Sequence, residues 1–103
     1  MSDVYKHRIG YSSKLRAMQH FVDKEYFIFN ETNQGPIDFV AVHSDGDVKF
    51  IECKTLSRRS DGSKIHRILS IKQKNLNKNF IKNKINAKVE IVYVDPETNE
   101  VWA

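Results

Sequence analysis

The stretch GPIDFVAVHSDGDVKFIECK, residues 35–54, reads as two β-strands joined by a tight turn. Ile37–His43 and Val48–Lys54 are rich in β-branched and aromatic residues, side chains that fit a pleated, half-buried surface. Ser44-Asp45-Gly46-Asp47 between them is hairpin-turn chemistry. Charges interrupt these apolar runs: Asp38 sits at the entry to the first strand, and Glu52 and Lys54 close the second. Acids and amines in such surroundings are costly unless each finds a partner.

Strand geometry puts Glu52 and Lys54 on one face, with Val48 and Phe50 below them. The length of the turn then governs Asp38. A two-residue Asp45-Gly46 turn sets Asp38 opposite Cys53, on the other face from Glu52. A three-residue Ser44–Gly46 loop, with Gly46 left-handed in a bulge, pairs Asp38 with Glu52 instead. Two carboxylates facing one another repel unless a cation lies between them. The spacing leaves two readings open. Either the three groups form a metal site, or Asp38 marks the strand entry after Gly35-Pro36 while Glu52 and Lys54 lie on a solvated face.

A chain of 103 residues, 40% hydrophobic and 11% aromatic, fits one globular domain; at that length about 60–70% of the unfolded surface is buried. The net charge of +4 is unevenly spread. Between Lys54 and Lys88 there are eleven Lys or Arg and one acid, Asp61, against six basic and twelve acidic residues elsewhere. That asymmetry points to a surface facing a polyanion, the alternative being a solvated basic helix. Cys53 is the single cysteine, which excludes an intramolecular disulfide and a cysteine-based zinc site and suits a reducing compartment. No apolar leader or run of about 18 apolar residues is present, so a soluble intracellular protein is expected. His7, His20, His43 and His66 are scattered and form no ligand cluster; His20 is expected to be exposed.

Residues 1–11 show no clear period and read as an N-terminal arm. A helix is expected from a Ser12 or Ser13 cap to about Lys24, its inner face formed by Leu15, Met18, Phe21 and Val22. YFIFN, residues 26–30, reads as a short central or partly covered strand, apolar on both faces. After the hairpin, residues 55–67 read as a mobile basic loop. A second helix runs from Ile68 or Ser70 to Asn83, with Leu69, Leu76 and Phe80 inward. AKVEIVYV, residues 87–94, is a strand, and residues 100–103 pair back after the Asp95–Asn99 turn. The order is α-β-β-β-α-β with a final short strand, an α/β domain with one mixed sheet flanked by helices. Tyr93 and Trp102 are read as core or dimer contacts.

Gln73 falls within the inward stripe of the second helix. A buried amide needs partners there: either the end of the hairpin or, more simply, a main-chain group at the helix start. Asp38, then Glu52-Cys53-Lys54, then the inward Gln73 resembles the PD-(D/E)XK nuclease superfamily, and most of all small members of the archaeal Holliday junction resolvase type. GPIDFVAV stands at that family's Gly-Pro-Asp strand, IECKT at its Glu-x-Lys strand and SIKQKNL at its following helix.

The resemblance covers residues 12–94 and implies a restriction-endonuclease-like core. It further implies that Asp38, Glu52 and the main-chain carbonyl of Cys53 hold Mg²⁺ or Mn²⁺, an all-oxygen shell suited to hard cations. Lys54 would orient or deprotonate the attacking water, and Gln73 would steady Lys54 or a ligand. The family often places a Glu on the first helix, which Ser12-Ser13-Lys14-Leu15 lacks; Glu31 is the candidate substitute. Arg58, Arg59, Lys64, Arg67, Lys72 and Lys74 would contact DNA phosphates.

The expected function is a metal-dependent endodeoxyribonuclease acting on branched DNA, as a homodimer because symmetric cleavage needs two sites. The alternatives are a nuclease acting on flaps, single strands or nicked duplex, and a non-catalytic nucleic-acid-binding module on the same fold.

Overall fold

In the computed structural model, which describes residues 3–30 and 37–102 (side chains from residue 8), helix α1 (Asp3–Asp23) leads into strands β1 (Tyr26–Phe29), β2 (Phe39–His43) and β3 (Val48–Thr55). A small hairpin, β4 (Ser57–Arg58) and β5 (Lys64–Ile65), precedes helix α2 (Ile71–Lys82) and strands β6 (Ala87–Val94) and β7 (Val101–Trp102). The β2–β3 turn takes the three-residue form. His43 donates its amide to the Asp47 carbonyl at 2.9 Å, enclosing Ser44–Gly46. Gly46 there has φ of 99°, a conformation glycine adopts without steric cost.

Five strands form one sheet in the order β1-β2-β3-β6-β7. Only β3 and β6 are parallel, in register from Val48↔Ala87 to Thr55↔Val94. A parallel pair needs a long crossover, supplied here by the β4–β5 hairpin and α2. Alternation along the strands then feeds two cores. Phe39, Ala41, Ile51, Val92 and Val94 pack with Ala17 and Phe21 of α1. Ile37 and Val89, with Val40 and Phe50, pack with Phe80 and Leu76 of α2.

Four expectations are corrected. Residues 3–11 are helical rather than an arm, continuous with the rest of α1. The inner line of α1 is Ser13, Ala17 and Phe21, all buried, whereas Leu15 and Val22 are about half exposed at 47% and 49%. The Ser13 hydroxyl is bonded to Thr55 Oγ1 at 2.7 Å, so a small polar residue faces the sheet without an unmet hydrogen bond. Second, β1 is an edge strand rather than a central one, and it is covered on one face alone: Tyr26 and Ile28 pack inward while Phe27 and Phe29 are exposed. Third, His20 is half-buried, its ring edge-on to Phe21, and burial above all lowers its pKa, with Lys24 and Arg16 adding to that and Asp23 opposing.

Fourth, the basic segment 55–67 contains the docked hairpin. Arg58 Nη2 lies 2.9 Å from Asp95 Oδ2, Lys64 Nζ stands 3.4 Å over the Trp102 ring, and the Arg67 amide donates to Tyr93 Oη at 2.6 Å. The Glu97 amide, chiefly, and also Arg58 hold the Asp95 acid below its ordinary value against the opposing effect of burial. Arg58→Ala should therefore lower stability modestly, because the Arg58 end is solvent-screened. The sign of its pH dependence follows from the lowered Asp95 pKa. This stabilisation is present above the unfolded pKa and fades as pH falls through the folded one. Urea midpoints of both proteins at neutral and acid pH check it.

Candidate functional site

The site is assembled where β2 and β3 part. The β2–β3 register ends at the Phe39↔Ile51 pair, just short of Asp38 and Glu52. Asp38 donates its amide to the Ile51 carbonyl at 2.7 Å. Its Oδ2 accepts the Cys53 amide at 2.7 Å, so the carboxylate stands where a strand carbonyl would otherwise receive that N–H. An acid is tolerated here because it completes the ladder and because the Cys53 N–H stabilises its charge.

Glu52 is largely buried, its side chain 19% exposed, and Lys54 Nζ lies 3.0 Å from its Oε1. Burial first, and the neighbouring Asp38 as well, raise the Glu52 acid above its ordinary value; the bond to Lys54 pulls the other way. Lys54 keeps 44% of its side chain exposed, within reach of a ligand arriving from solvent. Cys53 points the opposite way, packed against the α1 core. Burial pushes its thiol up to about 12, which removes it as a nucleophile near neutral pH.

Gln73 is buried and shares a cavity of ≈ 390 Å³ with Glu52, Lys54, Ser70, Lys74 and Ile91. Its Oε1 accepts the Ser70 amide at 2.9 Å, and its own amide donates to Ser70 Oγ at 3.2 Å. This reciprocal pair is a capping box that satisfies main-chain groups at the start of α2. The simpler of the two readings of Gln73 thus accounts for its oxygen, while its position still walls the cavity.

The remaining candidates divide. Arg58 and Lys64 are engaged with Asp95 and Trp102, contacts that fix the hairpin. Arg59 bonds its own turn, at 3.5 Å from Ser63 Oγ and 3.4 Å from the Lys64 carbonyl. Arg67, Lys72 and Lys74 are exposed beside the cavity or on α2. Glu31 lies outside the described residues. Among the described residues no group of three or more His, Cys, Asp and Glu is placed to hold a metal; the donors on hand are two carboxylates and the neighbouring main-chain carbonyls.

Sequence reasoning missed Ser70 and Ile91 as cavity walls, and Asp95 as the anchor of the basic hairpin. Asp95 stands in a turn-forming string, and nothing in the string signals that Arg58 folds onto it. Comparison with family models, curated proteins and solved structures gives no match. No helix among the described residues is long and apolar enough to cross a membrane.

Proposed function

We propose that this chain is a metal-dependent endodeoxyribonuclease with a PD-(D/E)XK site and a restriction-endonuclease-like core, hydrolysing DNA phosphodiesters. One observation carries the proposal: Asp38 lies beside Glu52 at the end of the hairpin, and Lys54, 3.0 Å from Glu52, lines one cavity with it. Ionised Glu52 carries a cost, set first by burial and then by the neighbouring Asp38. A divalent cation would relieve it, and the oxygen donors suit Mg²⁺ or Mn²⁺.

Asp38, Glu52 and the Cys53 carbonyl would hold the ion. When bound, it would polarise the scissile phosphate and acidify a water. Asp38 is preoriented by the Cys53 amide. Lys54 Nζ, anchored on Glu52, orients the attacking water and donates to the phosphoryl oxygens as charge builds on them. Arg67, Lys72 and Lys74 attract the DNA backbone. Branched DNA is the proposed substrate, and a homodimer is part of the proposal because cutting both arms of a branch takes two sites.

The test is cleavage of a four-way junction, linear duplex and single strand in EDTA, Mg²⁺ and Mn²⁺. Cutting is expected only with metal. Lys54→Ala should lose about 10²–10⁴-fold in rate while weakening DNA binding far less. Metal-independent binding without cleavage by the wild-type protein would make the chain a binding module instead.

A further inference from the structure

The cavity at Glu52 and Lys54 continues past Leu69 and Ile91 into a second hollow of ≈ 340 Å³, whose walls include Arg67, Leu69, Val89, Ile91 and Tyr93. That volume falls at the lower end of ligand pockets, about 300–1,000 Å³. Its origin is geometric. Helix α2 begins at Ile71 and covers Phe50 and Val89 through Phe80 and Leu76. The far end of β6 is left to the connecting segment 66–70. Tyr93 pins that segment, its hydroxyl accepting from the Arg67 amide at 2.6 Å and lying 3.2 Å from the Arg67 carbonyl. The wall is therefore held away from the strand rather than collapsed onto it.

The floor is aliphatic and the rim is cationic. The Arg67 side chain is exposed and forms no hydrogen bond or ion pair with the described residues. Lys54 and Lys74 stand at the adjoining cavity. Glu90 turns its carboxylate to Lys49, 3.2 Å away on the α1 side, so the rim keeps its positive character. An apolar slot one step from a phosphate site, edged by a planar guanidinium, suits the flat face of a base whose own phosphates are anionic.

We propose that this hollow receives one unpaired nucleobase beside the phosphate held at Glu52 and Lys54. The substrate class is then DNA with unpaired nucleotides (a single strand, a flap or an opened branch point) in preference to continuous duplex. The inference rests on reading Glu52 and Lys54 as the phosphate site. A paired base reaches such a pocket only by leaving its stack, a cost that an unpaired base largely avoids.

The experiment is an abasic scan. A short fluorescein-labelled oligodeoxynucleotide, with one abasic residue moved along it, is titrated with the protein in EDTA, and the intact strand is cut in Mg²⁺ to map the break. One abasic position next to the break is expected to weaken binding about tenfold, and the matched duplex should bind more weakly than the single strand. Leu69→Trp, which fills the hollow, should bind intact and abasic strands alike. Arg67→Ala, an exposed change, should weaken the intact strand more than the abasic one, and it provides the test if Leu69→Trp misfolds. A uniform abasic profile overturns the inference, and continued Mg²⁺-dependent cleavage in that case leaves the nuclease reading intact. A peaked profile without cleavage of any substrate upholds the hollow and removes the nuclease reading.

Discussion

Glu52→Gln is expected to abolish Mg²⁺-dependent cleavage while making the metal-free protein more stable at neutral pH. The first effect follows, on the proposed function, from removing one of the two carboxylates assigned to the ion. Several kcal/mol of charge stabilisation would go with the ion, at least about 10³-fold in rate. The second follows from the raised acid of Glu52, caused by burial and by Asp38. A carboxyl whose folded pKa exceeds its unfolded value favours the fold when protonated. Its contribution is present below the unfolded value, 4.5, and is lost as pH rises through the folded one. Ionised Glu52 therefore costs stability at neutral pH, and glutamine removes that cost. The lost pairing with Lys54 subtracts little, because Lys54 is 44% exposed.

Thermal melts in EDTA should show the variant above wild type at pH 7, with the gap closing as pH falls below 4.5. A variant less stable than wild type at pH 7 would mark the Glu52–Lys54 pair as structural. Unchanged cleavage would remove Glu52 from the site.

Phe39→Ala should cost about 3–5 kcal/mol, a large part of the roughly 5–15 kcal/mol expected for a domain of this size. Phe39 is fully buried and meets the Phe21 ring edge-on at 6.0 Å, so it joins α1 to the sheet. It also neighbours Asp38 and forms with Ile51 the last strand pair before Asp38 and Glu52. Loss of the ring should therefore loosen the site as well as the core. Leu15→Ala is the matched control: with Leu15 47% exposed, the cost should stay below about 1 kcal/mol. Urea midpoints measure both. Equal costs at the two positions would mean that α1 faces the sheet with its Leu15 side.

The sequence by itself determined the hairpin, the polar interruptions at Asp38, Glu52 and Lys54, the Ser70 start of α2 and the strand order into β6. Each is written locally: turn residues, period-two alternation and a capping serine act over a few positions. It left open whether Asp38 faces Glu52, because one residue of loop length turns a whole strand over. The tertiary structure chose the three-residue loop. It also decided what no local pattern encodes. The inner line of α1 runs through Ser13 and Ala17 because Thr55 meets the serine hydroxyl across the sheet, a contact invisible to a hydrophobic period. Likewise the basic segment became an ordered hairpin because Asp95, Tyr93 and Trp102 receive it from 26 or more residues away. Such long-range pairings depend on which side chains the sheet brings together, and only the folded chain specifies that.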